Sequence, residues 1–385
     1  MNGERALIKP VGSFGQFQVA DITIGFDYSW FIIFALVLFA LSGGYFPNYY
    51  PGYGTTTYWI AGIFATLLFF GSLLIHELAH SLMAIRSGIE IKEITLFIFG
   101  GVSRITEEPK DPAAELKIAV VGPLASFALA LIFWLIMSLF ARFQLILVTG
   151  IFYYLAWINL ALGIFNLIPG FPLDGGRLFR ALFWWWTGNL TRATRVAADI
   201  GKGFAVALMI LGGVQIFFGD LVGGLWFIFI GMFLRGMSQR GYEEVVVRKT
   251  LENIPMEEIM TREVVTVPPN LSLYDLLNQY FLNYPYHGFP VKDEGRVLGL
   301  ITLAQMKNIP PGEYPVLKVK EFMIRMNDDI LISPEVSLDE ALKRMTWKDL
   351  DRLLVMQQGD LVGLITKKSL MRFVEIKHIL EPEPE

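Results

Sequence analysis

Six apolar stretches constrain this chain more than any other feature. A span needs about 20 predominantly apolar residues to cover the hydrocarbon core. The sequence offers such stretches at residues 28–41 with its flanks, 58–85, 116–139 and 145–167, and two shorter ones at 204–218 and 221–234. With 54% hydrophobic residues among 385 and a mean hydropathy of +0.49, the chain is too apolar for a soluble globular protein. We therefore predict an α-helical polytopic membrane domain with six spans.

Charge density separates a second, soluble part. Residues 1–250 hold 17 basic and 15 acidic side chains, whereas the 135 residues from 251 onward hold 15 and 21. We place the boundary at 248, with a membrane domain over 1–248 and an acidic soluble domain over 249–385. The acidic balance offers no nucleic-acid surface. The chain has no cysteine, which excludes disulfides and thiolate-bound metals.

Basic residues are placed asymmetrically among the loops. The loop 43–57 has no charged residue, while Arg86, Lys92 and Arg104 lie in the next loop and further Arg and Lys follow spans four and six. By the positive-inside rule, the basic loops face the cytosol. The mixed N-terminal stretch lacks the pattern of a cleaved signal. We predict a multi-pass protein of the cell membrane with both termini in the cytosol.

Two segments are expected to contain β-strands. Residues 89–105 are rich in Ile, Thr and Phe and include Gly100 and Gly101, a composition that favours strands and a turn lying against the membrane domain. A simple loop on the membrane surface is the alternative. The soluble part contains two copies of one α/β unit, because the runs ending at Thr302 and Thr366 repeat with an offset of 64 residues.

The second span contains His76-Glu77-Leu78-Ala79-His80. Two histidines four positions apart project from one face of a helix, so their ring nitrogens can bind one Zn²⁺ at about 2.0–2.1 Å. Glu77, beside the first ligand, can accept a proton from a water that the metal activates. Ionisable residues inside a span are costly and usually functional. His76 precedes Arg86 by ten residues, which predicts a depth of roughly 15 Å from the cytosolic boundary.

A catalytic zinc ion needs a third protein ligand and an open position. Because the membrane part offers no other histidine and no cysteine, that ligand is expected to be an acidic residue. Asp174 is the candidate, since it follows span four directly in a stretch that Pro169 and Pro172 must make irregular. An ordinary Asp-Gly turn is the alternative reading.

Together these motifs resemble the site-2 protease family of intramembrane zinc metalloproteases. The resemblance rests on HELAH at 76–80 and NLIPGFPLDGGR at 166–177, supported by GPLAS at 122–126 and by Gly100-Gly101. It implies one zinc ion per chain, held by His76, His80 and Asp174, with Glu77 as the base. It also implies a catalytic role for Asn166, although an interhelical hydrogen bond is an alternative for that residue. The substrate would be a transmembrane segment of a membrane protein, added as a strand to the segment 91–105.

The soluble repeat resembles a tandem pair of CBS domains, at about residues 252–311 and 316–377. That resemblance implies an adenosine nucleotide at the pair, with Thr302 and Thr366 as candidate contacts, and a homodimer formed through the module. The family's ribose-binding aspartate is replaced by Gln305 in the first copy and by Ser369 in the second. A purely structural role is the alternative.

Two other functions compete with proteolysis. A metal-binding transporter or channel gated by CBS domains would place polar residues along several spans, which are nearly free of charge here. An inactive membrane scaffold would hold zinc in a closed site with four protein ligands.

Overall fold

The computed structural model describes residues 13–19, 22–98, 100–105, 109–348 and 350–380. The chain forms two compact units, Met1–Glu243 and Glu244–Glu385. Residues 1–12, on which the expectation of an uncleaved N-terminus largely depends, lie outside the described residues.

The first unit is built from long apolar helices. Helix α1 (Tyr28–Ala40) continues through a π-helical turn (Leu41–Tyr45) into α2 (Phe46–Tyr49), and together they form one span. The other helices are α3 (Thr55–Arg86), α4 (Pro112–Arg142), α5 (Ile146–Asn166), α6 (Asp174–Thr187), α7 (Leu190–Phe217) and α8 (Leu221–Leu251). Among the described residues, six helical segments are long and apolar enough to cross a membrane, and α6 is not one of them. The prediction of six spans is confirmed.

Polar caps set where several of these helices begin. The Asp27 carboxylate accepts the backbone N–H of Ser29 at 2.9 Å and starts α1, and Asp111 accepts that of Ala114 at 2.8 Å at the start of α4. Asn189 caps α7 in the same way. Each cap satisfies a backbone donor that the first helical turn leaves without a partner. Three helices of this unit therefore begin directly after a polar capping residue: Asp27, Asp111 and Asn189.

The outward faces of the spans carry large apolar side chains. Ile32, Ile60 and Ile210 are 58%, 64% and 63% exposed. Such exposure on several helices of one unit matches a surface that faces lipid. The buried interior of the unit instead brings α3, α4 and α5 together around residues such as Ala65 and Leu155, both fully buried.

A four-stranded sheet lies against α3 and α4. It contains β1 (Ser13–Val19), β2 (Ile22–Asp27), β3 (Ile91–Phe97) and β4 (Gly100–Ile105), in that order. Strands β2 and β3 are parallel, with Ile24 opposite Ile94, and the other pairs are antiparallel. Ile94 packs in one cluster with Ala84 of α3 and Ile118 of α4. The prediction of strands within 89–105 is confirmed, and the contribution of residues 13–27 to the same sheet is new.

The second unit contains two copies of an α/β arrangement. Its strands are β5 (Gly288–Asp293), β6 (Arg296–Thr302), β7 (Ile324–Arg325), β8 (Leu331–Ile332), β9 (Arg352–Gln357) and β10 (Asp360–Thr366). They form two three-stranded sheets, ordered β5-β6-β7 and β10-β9-β8. Its α-helices are α9 (Leu273–Asp275), α10 (Leu303–Met306), α11 (Val319–Phe322), α12 (Leu338–Trp347) and α13 (Lys367–Leu380).

Candidate metal centre

Helix α3 presents both histidines of the HELAH motif on one face. The Nε2 atoms of His76 and His80 lie 3.2 Å apart, as expected for residues one helical turn apart. Their side chains are 3% and 14% exposed. The pair is therefore enclosed by protein, with His80 nearer to the remaining opening.

Asp174 reaches the same point from the start of α6. Its Oδ2 atom lies 3.1 Å from Nε2 of His76 and 3.2 Å from Nε2 of His80. The irregular segment between α5 and α6 folds back over the first turn of α6. A Cβ on Gly176 would lie 2.4 Å from the carbonyl carbon of Gly170, so this approach requires glycine. The predicted break after span four thus carries Asp174 to the histidines.

The three donor atoms form an almost equilateral triangle with edges of 3.1–3.2 Å. In a tetrahedral zinc site with bonds of about 2.0–2.1 Å, neighbouring ligand atoms are separated by about 3.3–3.4 Å. The observed edges are about 0.1–0.3 Å shorter than that spacing, so the three donor atoms lie close to the separation that ligands of one zinc ion would have. One triangle of ligands leaves one tetrahedral position open, as a catalytic site requires.

The hydrogen bonds of the outer ring nitrogens leave the donor atoms of this triangle suited to hold a cation. Nδ1 of His80 lies 2.7 Å from the carbonyl oxygen of Ile118, which can only accept, so Nδ1 carries a proton and Nε2 of the neutral ring carries a lone pair. Nδ1 of His76 lies 2.8 Å from Oγ of Ser126, which can accept in the same way. Two imidazole lone pairs and a carboxylate oxygen then face one another, an arrangement that a bound metal stabilises.

Gly122 of α4 provides the space beside the donor atoms. A Cβ at this position would lie 2.0 Å from Nε2 of His80 and 2.8 Å from Nε2 of His76. Any side chain here would occupy the centre itself. The GPLAS segment of α4 therefore contributes both an opening, at Gly122, and a hydrogen-bond partner, at Ser126.

Glu77 lies next to the triangle but outside it. A Cβ on Gly101 of β4 would lie 2.5 Å from Cγ and 3.2 Å from Oε1 of Glu77, so the glutamate packs directly on the backbone of that strand. The groups in electrostatic contact with its carboxylate include His80 and Arg177. Glu77 therefore lies beside the donor triangle without contributing an atom to it.

The remaining predicted site residues lie elsewhere. Asn166 is the last residue of α5, is half-buried, and makes no side-chain hydrogen bond to any residue that the structure describes. Thr302 ends β6 and caps α10, and its hydroxyl lies 2.5 Å from Oε1 of Gln305. Thr366 ends β10, and its Oγ1 lies 3.1 Å from Oγ of Ser369. None of these residues belongs to the donor triangle.

The structure also brings out residues that the sequence reasoning missed. Ser126 and the backbone carbonyl of Ile118 hold the histidine rings. Their only signal in the sequence is that each lies about one helical turn from Gly122, in the Gly122-Pro123 pair. The interhelical hydrogen bond considered for Asn166 is made instead by Asn159, whose amide donates to Oγ of Ser72 at 3.3 Å. A single asparagine within an apolar span carries no sequence signal of its partner.

Two known families match this chain. Peptidase family M50 matches residues 64–210, which include both zinc-site motifs. The CBS domain matches twice, over residues 256–309 and 319–376.

Relatives match over almost the whole length. Rip3 of Mycobacterium tuberculosis is 32% identical over 370 residues, covering 95% of this chain and 94% of the relative. A zinc metalloprotease of Methanocaldococcus jannaschii is 32% identical over 319 residues, covering 82% and 86%. The solved site-2 protease from M. jannaschii is 28% identical, covers 60% of this chain and 95% of its own, and has a TM-score of 0.44.

This chain is therefore a multi-pass membrane enzyme, and it belongs to the site-2 protease family of zinc metalloproteases, Peptidase family M50, with a tandem CBS pair. The resemblance drawn from HELAH and NLIPGFPLDGGR is confirmed, as is the tandem CBS assignment.

Proposed function

We propose that this enzyme is an intramembrane endopeptidase that cleaves a transmembrane segment of another membrane protein. The observation that carries the proposal is the triangle of His76, His80 and Asp174, whose two histidines lie with Glu77 on α3, a helix long and apolar enough to cross a membrane. In the orientation that the basic loops favour, His76 lies about 15 Å from the cytosolic end of α3. Water and an unwound substrate would then enter from the cytosolic half of the bilayer.

Each residue of the proposed site has its own chemical role. One zinc ion held by His76, His80 and Asp174 supplies Lewis-acid activation of water and of a peptide carbonyl. Glu77 accepts the proton of the attacking water and returns it to the leaving amide nitrogen. Asn166, with its amide free of other described partners, donates a hydrogen bond to the oxygen that develops negative charge.

Strand β4 provides a docking edge for the substrate. It lies at the end of the described sheet, with β3 as its neighbour on one side, and its Gly101 packs on Glu77. A substrate segment that unwinds could add to this edge through main-chain hydrogen bonds. That addition would place the extended peptide next to Glu77, and extended peptide is the form that a protease cuts.

Cleavage in a reconstituted system tests the function. Purified full-length enzyme and a library of single-pass transmembrane segments are placed in liposomes, and products are mapped by mass spectrometry. Wild type with about one zinc per chain should cut within the spanning segments, whereas Glu77→Ala should keep zinc and lose cleavage. Equal cleavage by Glu77→Ala, or no cleavage of any segment by the zinc-loaded wild type, would refute the proposal. Zinc flux into the same liposomes without cleavage would favour a transporter.

The absence of native cysteine makes the topology testable. We propose that the loop 43–57 faces outward and that both termini face the cytosol. Thr56→Cys and Lys368→Cys, both at exposed positions, each introduce a single thiol. In intact cells, a membrane-impermeant maleimide should label only the first, and labelling of the second alone would invert the topology.

We further propose that the soluble domain, residues 249–385, regulates the protease through an adenosine nucleotide. The guanidinium of Arg352 lies beside Gly288 and the Thr302 methyl group, so residues of both repeats meet around a cationic side chain. Asp351 accepts two hydrogen bonds from that guanidinium, at 2.6 and 2.8 Å, and would have to share it with a phosphate. Calorimetric titration with AMP and ATP tests this, and no heat at millimolar nucleotide would leave the module a structural role.

A homodimer through the CBS module is the last part of the proposal. Helix α13 ends with large apolar side chains that the described chain leaves open to solvent, since Ile379 and Leu380 are 71% and 74% exposed. Apolar groups clustered in this way commonly mark a protein interface. Light scattering of the full chain in detergent should give twice the monomer mass, and Ile379→Lys should halve it.

A further inference from the structure

The backbone that carries Asp174 is held by helices outside the zinc site. Residues 167–173 connect α5 to α6 without regular structure, and the Phe171–Pro172 peptide bond within them is cis. The N–H of Phe171 donates to the carbonyl of Ala197 in α7 at 3.2 Å. The carbonyl of Phe171 accepts a hydrogen bond from the hydroxyl of Ser238 in α8. Both backbone groups of one residue are therefore satisfied by two different spans.

The backbone of helix α7 packs directly against this peptide. A Cβ on Gly201 would lie 2.1 Å from the carbonyl oxygen of Phe171 and 2.7 Å from Oγ of Ser238. Ser238 is fully buried, and its hydroxyl also lies 2.8 Å from the carbonyl of Leu234 one turn earlier. A hydroxyl has one proton, so Ser238 shares it between its own helix and the loop.

The ring of Phe171 has a separate contact with a buried charged side chain. The guanidinium of Arg180 in α6 lies 5.1 Å from the ring centroid. Arg180 also donates from Nε to Oε1 of Glu115 in α4 at 2.6 Å, and both charged side chains are at least 95% buried. A buried ion pair with good geometry resists displacement, because separating it would leave a charge without a partner. Phe171 thus has defined contacts with α4 through Arg180 and direct contacts with α6, α7 and α8.

We propose that Ser238 is a positioning residue for the zinc ligand Asp174, acting through the carbonyl of Phe171 three residues earlier. The inference rests on the proposed metal role of Asp174. This role would lie outside the sequence motifs of the zinc site, because Ser238 is on α8, beyond the residues 64–210 that match the peptidase family. Because Ser238 holds the carbonyl of Phe171, the last span helps to fix the position of the third ligand.

Zinc affinity tests this without relying on activity. Competition with a fluorescent chelator gives the zinc Kd of the purified full chain for wild type, Ser238→Ala, Asp174→Ala and the double variant. Changes behind a metal ligand typically cost about 10–100-fold in affinity, and one position further away we expect roughly 3- to 10-fold for Ser238→Ala. The loss should vanish in the Asp174→Ala background, since the effect passes through that carboxylate. Thr194→Ala is the matched control, because the buried hydroxyl of Thr194 bonds, among the described residues, only the Leu190 carbonyl of its own helix.

A second pair of variants approaches the same carbonyl from α7. Gly201→Ala should weaken zinc binding, because its methyl would displace the Phe171 carbonyl, whereas Gly203→Ala has open space and should not. Thermal unfolding without zinc verifies that each variant folds. Wild-type affinity in folded Ser238→Ala, or an equal loss with and without Asp174, would overturn the inference. Wild-type affinity in Asp174→Ala would instead overturn the proposed zinc site.

Discussion

Gly122 offers a sharp test of the metal centre, because its substitution acts on the space rather than on a ligand. An alanine Cβ there would lie 2.0 Å from Nε2 of His80 and 2.8 Å from Nε2 of His76. The first distance equals a zinc–nitrogen bond of about 2.0–2.1 Å, so the methyl group would take the room of the ion. We therefore expect Gly122→Ala to abolish tight zinc binding while all three ligands remain present.

The size of the effect follows from the geometry. Carbon and nitrogen atoms in contact need about 3.5 Å, so His80 or α4 must move by about 1.5 Å. Metal–ligand distances tolerate about 0.2 Å. We expect at least about 100-fold weaker zinc binding, or ~2.8 kcal/mol. The metal-free fold should change little, since alanine favours a helix over glycine by about 0.8–1 kcal/mol and overpacking costs about 1–3 kcal/mol.

The assay is chelator competition on purified full-length protein, with thermal unfolding of the metal-free form measured in parallel. Gly71→Ala is the matched control, because Gly71 also lies within a span and a Cβ there meets nothing within 4 Å. The control should bind zinc as wild type does. If folded Gly122→Ala bound zinc with wild-type affinity, the assignment of this triangle as the metal centre would be wrong.

Three further outcomes are expected. Ser126→Ala removes the partner of Nδ1 of His76 and should weaken zinc binding about 10–100-fold, measured by the same competition. Asn166→Ala should lower kcat by about 10²–10³ with unchanged zinc affinity, and a change in KM alone would contradict an oxyanion role. Hydrogen bonds from Arg352 hold the pKa of Asp351 below its usual range. A carboxylate with a lowered pKa stabilises the fold above its unfolded pKa of about 3.9 and loses that contribution as the pH falls through the folded value. Asp351→Asn should therefore lower Tm at pH 7, and this difference from wild type should shrink toward pH 3; a constant difference would exclude this origin.

Local patterns predicted most of the membrane unit. Helix periodicity is a local property, so four residues of spacing were enough to place His76 and His80 on one face. Apolar length alone identified the spans, because in lipid a segment must satisfy its own backbone hydrogen bonds. The strand pairing was less accessible. Strand β2 runs parallel to β3, about 70 residues later, and no local signal shows which distant strand will complete a sheet.

The candidate site was likewise predicted from the sequence only in part. Asp174 emerged by elimination among possible ligands, but its meeting with His76 across 98 residues is a property of the packed helices. The partners of the outer ring nitrogens, Ser126 and the Ile118 carbonyl, depend on how α4 lies against α3. Every residue has a backbone carbonyl, so the sequence could not show that the carbonyl of Ile118 is the one that binds His80.

The sequence by itself determined the number of spans, the helix that carries both histidines, the duplicated soluble unit and the class of enzyme. The spans and the histidine helix follow from apolar length and from spacing within one element, the duplication follows from an internal repeat, and the class of enzyme follows from the family resemblance of the motifs. Only the tertiary structure decided the triangle of donors with edges of 3.1–3.2 Å, the opening at Gly122 and the hold of Ser238 on the Asp174 loop. Those features depend on close packing between helices far apart in the chain, where displacements of about 0.2 Å already matter to a metal site.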